Sequence, residues 1–236
     1  MSDIETGRLI GIGVGPGDSD LLTVKAVKIL KTVPVIAYIH AEGRASLARA
    51  IAAPHLGTAK AEVAMPVPME SNPAAALGAY DAHMPAIRAH LDQGADVAVL
   101  CEGDPFFYGS FIYIHDRLAG GYRTEVVPGI TSLSAAAALS RRALAARGQT
   151  FTALPATLGE DDLMLRLAGA ENAALMKLGR NLGKVRRVLR ALGLESRALY
   201  LERIGHDDER VLPFSETEDI EAGYFSLVLV QGKEAG

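Results

Sequence analysis

Tryptophan is absent from the chain, cysteine occurs once, at Cys101, and basic residues are outnumbered by acidic ones. Each shortage removes a class of protein. A single cysteine cannot close an internal disulfide, so packing has to hold the fold. The 24 Lys and Arg against 28 Asp and Glu give a net charge of −4, which argues against a dedicated nucleic-acid binder, whose footprint is positive. Long hydrophobic runs are missing too. Those within Ala95–Cys101 and Phe225–Val230 stop far short of the roughly 20 residues that span a bilayer. The opening MSDIETGRLI lacks the basic-then-apolar order of a secretory signal, so the cytoplasm is the expected location. The six histidines are scattered, with no i,i+4 pair, and no metal site is expected. Neither a Gly-Lys-Ser/Thr phosphate loop nor a Gly-x-Ser-x-Gly nucleophile elbow occurs, which leaves NTP hydrolysis and serine hydrolysis without support.

What remains is an ordinary globular composition, 49% hydrophobic and 22% charged over 236 residues. Short β-rich runs alternate with helical stretches. Strands are expected at 8–14, 34–39, 96–101 and 122–127, with helices at 21–31, 45–52, 111–119 and 132–139. A second alternating set follows: strands at 150–154, 173–178 and 197–203, helices at 161–167 and 184–192, and an antiparallel pair of 210–214 with 225–230. Four prolines mark 54–73 as loop, with Pro73 suited to the first turn of the next helix. His206–Glu209 reads as a polar hairpin turn. This pattern predicts an α/β protein of two domains, 1–128 and 129–236, with largely parallel strands whose carboxyl ends carry the ligand loops.

Three such loops stand out. In GIGVGPGDSDLLT, Gly11–Thr23, alternating glycines end a strand and open a helix. The third glycine of a dinucleotide fingerprint would fall on position 16 or 18, but Pro16 and Asp18 stand there, which disfavours a nicotinamide enzyme. In CEGDPFFYGS, Cys101–Ser110, the Gly103-Asp104-Pro105 turn offers backbone groups and a carboxylate suited to a zwitterion. Phe106, Phe107 and Tyr108 could wall an aromatic ligand, although such aromatics alone more often belong to a core. Cys101 reads as a small buried residue. In VVPGITS, Val126–Ser132, Thr131 or Ser132 caps a helix or faces a ligand.

Charge is unevenly spread. Between Arg141 and Arg190 there are ten Lys and Arg against four Asp and Glu, a local +6 that leaves −10 for the rest. Solvated helix faces would explain it, and so would a groove for an anionic ligand.

Together the three loops resemble the tetrapyrrole methylase family, the S-adenosylmethionine-dependent enzymes of sirohaem and cobalamin biosynthesis. The likeness continues through MKLGRN at Met176–Asn181, YLERIG at Tyr200–Gly205 and YFSLVLV at Tyr224–Val230. AEGRASLARAIA at Ala41–Ala52, LPATL at Leu154–Leu158 and Glu102, where uroporphyrinogen methylases read Gly-Gly-Asp-Pro, look most like the branch that methylates precorrin-2 at C-20. The departures are Thr32-Val33, where many relatives have Ala-Asp, and the turn Ile204–Arg210.

The resemblance implies a class III methyltransferase fold, two α/β domains with the cofactor in a cleft between them, usually as a homodimer. It implies S-adenosyl-L-methionine as cofactor, S-adenosyl-L-homocysteine as product, and a small-molecule tetrapyrrole as substrate, giving precorrin-3A. Pro16, Glu102, Gly103, Asp104 and Phe107 are implied cofactor contacts, followed by Thr131 and Ser132. From the second domain come Met176, Lys177 or Leu178, Leu199 or Tyr200, and Ser226 or Leu227. The substrate's eight carboxylates would explain a basic lobe, with Arg141, Arg142, Arg147, Lys177, Arg180 and Lys184 as candidates. The sequence singles out no catalytic base. Open alternatives are cobalt-factor II or another tetrapyrrole, diphthine or ribosomal RNA as substrate of the same fold, and a binding module without turnover.

Overall fold

The computed structural model describes residues 5–58, 60–68 and 73–232, so residues 1–4 and part of the proline-rich 54–73 stretch lie outside it. The chain divides into two compact units, Met1–Thr131 and Ser132–Gly236.

The first unit is a five-stranded parallel sheet. Its strands β1 (Leu9–Gly13), β2 (Val35–Ala41), β3 (Ala61–Val67), β4 (Val97–Cys101) and β5 (Thr124–Val127) lie in the order β3-β2-β4-β1-β5. Four helices connect them: α1 (Val24–Thr32), α2 (Leu47–Ala52), α3 (Pro73–Asp92) and α4 (Phe111–Leu118). LIGIG and VAVLC are buried at every position, as central strands covered on both faces must be. Successive side chains alternate between two cores. Leu9, Val97, Val99 and Cys101 meet Tyr80, Met84, Ile87 and Leu91 of α3 and Phe111, Ile114 and Leu118 of α4. Ile10, Ile12, Ala98 and Leu100 meet Ala26 and Leu30 of α1 and Ala48 and Ile51 of α2. Hydroxyls start two of the helices: Thr23 accepts from the Ala26 N–H at 3.2 Å, and Ser46 from that of Arg49 at 3.3 Å.

The expectation of loop throughout 54–73 is overturned by β3. Its AEVAMPV pairs in parallel with β2 over seven residues, and Pro66 sits inside it. The strand tolerates a proline because it is the sheet's edge, with one ladder side unpaired.

The second unit holds β6 (Phe151–Pro155), β7 (Asn172–Met176), β8 (Ala198–Glu202), β9 (Arg210–Pro213) and β10 (Ser226–Val230), ordered β6-β7-β10-β8-β9. Its helices are α5 (Ser132–Ser140), α6 (Glu160–Ala168) and α7 (Leu182–Ala191). β10 runs antiparallel to both β7 and β8, and β9 pairs antiparallel with β8. This corrects the expected pairing of 210–214 with 225–230, because β8 lies between them. SLVLV is buried at all five positions and therefore belongs in the centre, whereas β9 is exposed at both ends and suits an edge.

Candidate functional site

Strand order fixes where a ligand can enter the first unit. β1 leads across β4 to β2, and β4 leads back across β1 to β5. The following helices, α1 and α4, consequently lie on opposite faces of the sheet. Loops diverging from two adjacent parallel strands leave a crevice at their carboxyl ends. All three sequence-predicted loops of this unit follow β1, β4 and β5, neighbours in the sheet.

Glycine lets these loops touch. A Cβ on Gly13 would fall 2.5 Å from the Gly129 nitrogen and 2.6 Å from the Gly103 oxygen; one on Gly129 would fall 2.0 Å from that same oxygen. Past the sheet, Gly103 donates to the Gly15 carbonyl at 2.8 Å and accepts from its N–H at 3.3 Å. Gly103 has φ +66, and a Cβ there would point into open space bordered by Ile130 O at 3.9 Å and Thr131 Cα at 4.0 Å. That space is a cradle in which backbone can approach a ligand.

Asp104 joins two of the loops. One carboxylate oxygen accepts the Phe106 N–H at 2.9 Å, and the other accepts the Gly129 N–H at 3.0 Å. Glu102, one residue past β4, is half-buried, and its Oε1 accepts the Ala48 N–H at 3.2 Å. Burial raises its proton affinity, and backbone hydrogen bonds only partly offset this. Pro16 and Phe107 are half-buried beside them. Phe106 and Tyr108 are 48% and 41% exposed, so the core reading does not hold for those two rings. Cys101 is buried as expected, and burial pushes its thiol well above the ordinary range. The first unit thus brings Pro16, Glu102, Gly103, Asp104, Phe107 and Thr131 to one edge of one sheet.

In the second unit β6, β7 and β8 end at a common edge, where β10 begins: Pro155 pairs with Met176, Met176 with Leu227, and Glu202 with Ser226. Met176, Ser226 and Leu227 gather there, and Lys177 follows in a left-handed conformation, φ 58. Leu199 and Tyr200 point to opposite faces. Tyr200, wholly buried, belongs to the helix-covered core together with Leu178. Burial pushes its phenol up to about 12. Ser132 opens α5.

The basic stretch separates into two sets. Arg186, Arg187 and Arg190 are engaged by Glu218, Glu160 and Glu195, and Lys184 donates to the Leu158 carbonyl at 2.6 Å. Arg187 and Arg190 fit the solvated helix faces of the simpler reading, Arg186 is largely buried and donates to the Thr217 carbonyl, and Lys184 is committed to a loop. Arg141, Arg142 and Arg147 form no ion pair among the described residues, and Arg141 and Arg147 are exposed, as is Arg180.

Sequence reasoning missed Gly129 as the keystone of the mouth and the polar cluster at the end of β8. In that cluster buried Glu202 is paired with Arg210 and accepts the Gly223 N–H at 3.0 Å. The Pro-Gly turn was a signal for the first; nothing local signalled the second, whose partners come from three strands or loops.

Comparison with known proteins agrees with this geometry. Residues 8–218 match the family described as Tetrapyrrole (Corrin/Porphyrin) Methylases. A Sinorhizobium protein named precorrin-2 C(20)-methyltransferase is 43% identical over 98% of both chains. One from Salmonella typhimurium, named cobalt-precorrin-2 C(20)-methyltransferase, is 27% identical over 95% of this chain and 96% of its own. The crystal structure of a uroporphyrin-III C-methyltransferase from Thermus thermophilus, complexed with S-adenyl homocysteine, superposes with a TM-score of 0.68 at 27% identity, covering 95% of this chain and 97% of that one. Since the match runs through all three loops of the mouth and almost to the last strand, the chain belongs to the tetrapyrrole methylase family.

Proposed function

We propose that this chain is a C-methyltransferase that uses S-adenosyl-L-methionine to methylate precorrin-2 at C-20, giving precorrin-3A and S-adenosyl-L-homocysteine in cobalamin biosynthesis. The carrying observation is the crevice after β1 and β4, in a chain 43% identical over its length to a relative of that name. The residues present fit the cofactor. Gly103 leaves a cradle open, and the Glu102 carboxylate beside it suits an ammonium group. Pro16, Gly103, Asp104, Phe107 and Thr131 border that cradle in this reading. On the second sheet Met176, Leu199 and Leu227 lie on the face away from the helix-covered core and are the contacts of this reading, whereas Ser226 shares the face of Val228 and Tyr200 and donates to the Gly223 carbonyl.

The bound cofactor supplies an electrophilic methyl group. The protein's work is to align the acceptor carbon and exclude water, for which no covalent nucleophile is needed. Exposed Phe106 and Tyr108 offer flat apolar surface to a tetrapyrrole, and Arg141, Arg142, Arg147 and Arg180 offer guanidinium groups to its carboxylates. Among the described residues no helix is long and apolar enough to cross a membrane; the cytoplasmic location and homodimer of this reading rest on the family resemblance alone.

The metal-free substrate is preferred because the relative named for cobalt-precorrin-2 is the more distant, at 27% identity. The test is incubation with the cofactor and either precorrin-2 or cobalt-factor II, followed by product mass and methyl position. A single methyl added at C-20 of precorrin-2 is expected. Turnover of cobalt-factor II alone would move the substrate assignment, and binding of S-adenosyl-L-homocysteine with no turnover of any tetrapyrrole would leave a binding module.

A further inference from the structure

We propose that Arg44 binds a peripheral carboxylate of the tetrapyrrole at the rim of the crevice in the first unit. The inference rests on the methyltransferase reading above and adds a substrate contact outside the basic stretch of the second unit.

The segment Ala41–Ala52, to which the mouth described above gives no role, is held against that mouth at two points. β2 and β4 are neighbours, Tyr38 opposite Leu100, at the usual strand spacing of about 4.8 Å. β4 ends one residue later, at Cys101, whereas β2 runs three residues on, to Ala41, in continuous pairing with β3. It therefore overshoots β4 by two residues, about 7 Å, and stands as a wall beside the loop that carries Glu102 and Gly103. There the chain turns. Arg44 donates its N–H to the Ala41 carbonyl at 3.0 Å, and Gly43 takes the positive φ, +73, that the turn requires. By Ala48 the chain is back at the mouth, its N–H donating to Glu102 Oε1 at 3.2 Å. Buried Ser46 caps the helix start between them. Arg44 lies three residues from the first anchor and four from the second, so its side chain springs from the rim itself.

At that rim Arg44 is exposed, and no carboxylate among the described residues pairs with it, Glu42 of the same turn included. The other basic side chains of the first unit are engaged or stand elsewhere. Arg49 is turned to Glu62, and Arg8, Lys25, Arg117 and Arg123 are ion-paired. Arg88 lies over the Tyr122 ring, Lys60 donates to the Val33 carbonyl, and Lys28 and Lys31 lie along α1 as it runs back toward the amino edge. Arg44 is thus the cation that this sheet leaves open at its ligand edge.

A guanidinium is charged at every physiological pH and presents a planar fork of donors, which matches a carboxylate. Two carboxylates could reach it, one on the substrate's periphery and the cofactor's own. Position favours the substrate. The cradle at Gly103 is bordered by Ile130 and Thr131, whose loop follows β5 beyond β1, whereas Arg44 follows β2 on the opposite side of β4.

The test compares wild type with Arg44→Gln and Arg44→Lys in steady-state methylation of precorrin-2 at saturating cofactor, at low and high salt, with S-adenosyl-L-homocysteine affinity measured by calorimetry. Arg44→Gln should raise KM for precorrin-2 about tenfold at low salt, the loss of one charge-assisted hydrogen bond. It should leave kcat within about twofold, the pattern of binding lost equally from ground and transition states. The difference should shrink as salt rises, and Arg44→Lys, which keeps the charge and loses the fork, should fall between. S-adenosyl-L-homocysteine affinity should stay within about twofold. An unchanged KM at low salt overturns the proposal, and so does a fall in cofactor-product affinity with KM for precorrin-2 unchanged, since Arg44 would then serve the cofactor's carboxylate. A loss of kcat in both variants with KM unchanged marks a structural role and overturns it equally. Wild type that binds S-adenosyl-L-homocysteine but methylates no tetrapyrrole would overturn the methyltransferase reading. The carboxylate contact is then read from the Kd of precorrin-2 itself, where a tenfold separation of Arg44→Gln from wild type supports the proposal and equal values overturn it.

Discussion

Removing the Asp104 carboxylate should loosen the mouth as well as weaken ligand binding. Its bond to Phe106 is exposed and spans two residues, whereas its bond to Gly129 is partly buried and joins loops 25 residues apart. Hydrogen bonds to a charged group contribute about 1.5–3 kcal/mol, and the exposed local one contributes less, so Asp104→Ala should cost about 2–3 kcal/mol. For a unit of this size each kcal/mol shifts Tm by about 3 °C, which puts the expected loss at about 6–9 °C. Asp104→Asn keeps one acceptor but presents an N–H₂ to the other amide, so it should fall between wild type and Ala. Calorimetric melting of the three proteins, with and without S-adenosyl-L-homocysteine, measures both effects. If Asp104→Ala melts within 2 °C of wild type and binds the ligand equally well, the carboxylate neither ties the loops nor serves the site.

Gly129→Ala would place a Cβ 2.0 Å from the Gly103 oxygen, an overlap between backbones that costs about 1–3 kcal/mol and should reduce S-adenosyl-L-homocysteine affinity at least tenfold in calorimetry. Arg141 ends α5 in a left-handed conformation, φ 54, with Arg142 donating back to Ala137 at 3.0 Å; Arg141→Gly should stabilise by about 0.5–1 kcal/mol while raising KM for the anionic substrate. An unchanged KM at low salt would return Arg141 to the solvated surface. Arg210→Met leaves Glu202, 7% exposed, without its cationic partner; breaking a buried pair can cost about 3 kcal/mol, but solvent screening at half-exposed Arg210 and the retained Gly223 amide bring the expectation nearer 1–2, readable by urea titration. Because the folded state raises the proton affinity of Glu102, its contribution to stability is complete below the unfolded value and is lost as pH rises through the folded one. Glu102→Gln should therefore melt progressively higher than wild type as pH rises through that window. A difference that is constant from pH 4 to 8 would refute it.

Much of this protein can be read locally. Fully apolar strands such as LIGIG and VAVLC, glycine and proline at their carboxyl ends, and the regular return of helical stretches are properties of short windows, and they suffice for α/β class and for the loops worth searching. Even the shape of each loop is partly local, since the positive φ at Gly15 and Gly103 favours glycine. Strand order is not local. β3 was hidden by Pro66 because only edge position makes proline harmless, and β10 lies between β7 and β8 because a strand buried on both faces must sit centrally, 24 residues of chain after β8 notwithstanding. Nor could the sequence show that Asp104 spends its oxygens on the amides of Phe106 and Gly129 while Glu102 reaches the Ala48 amide of another helix. A residue's type sets what it can donate or accept. Which partner reaches it depends on residues distant in sequence that packing of the sheet and helices brings within hydrogen-bonding distance.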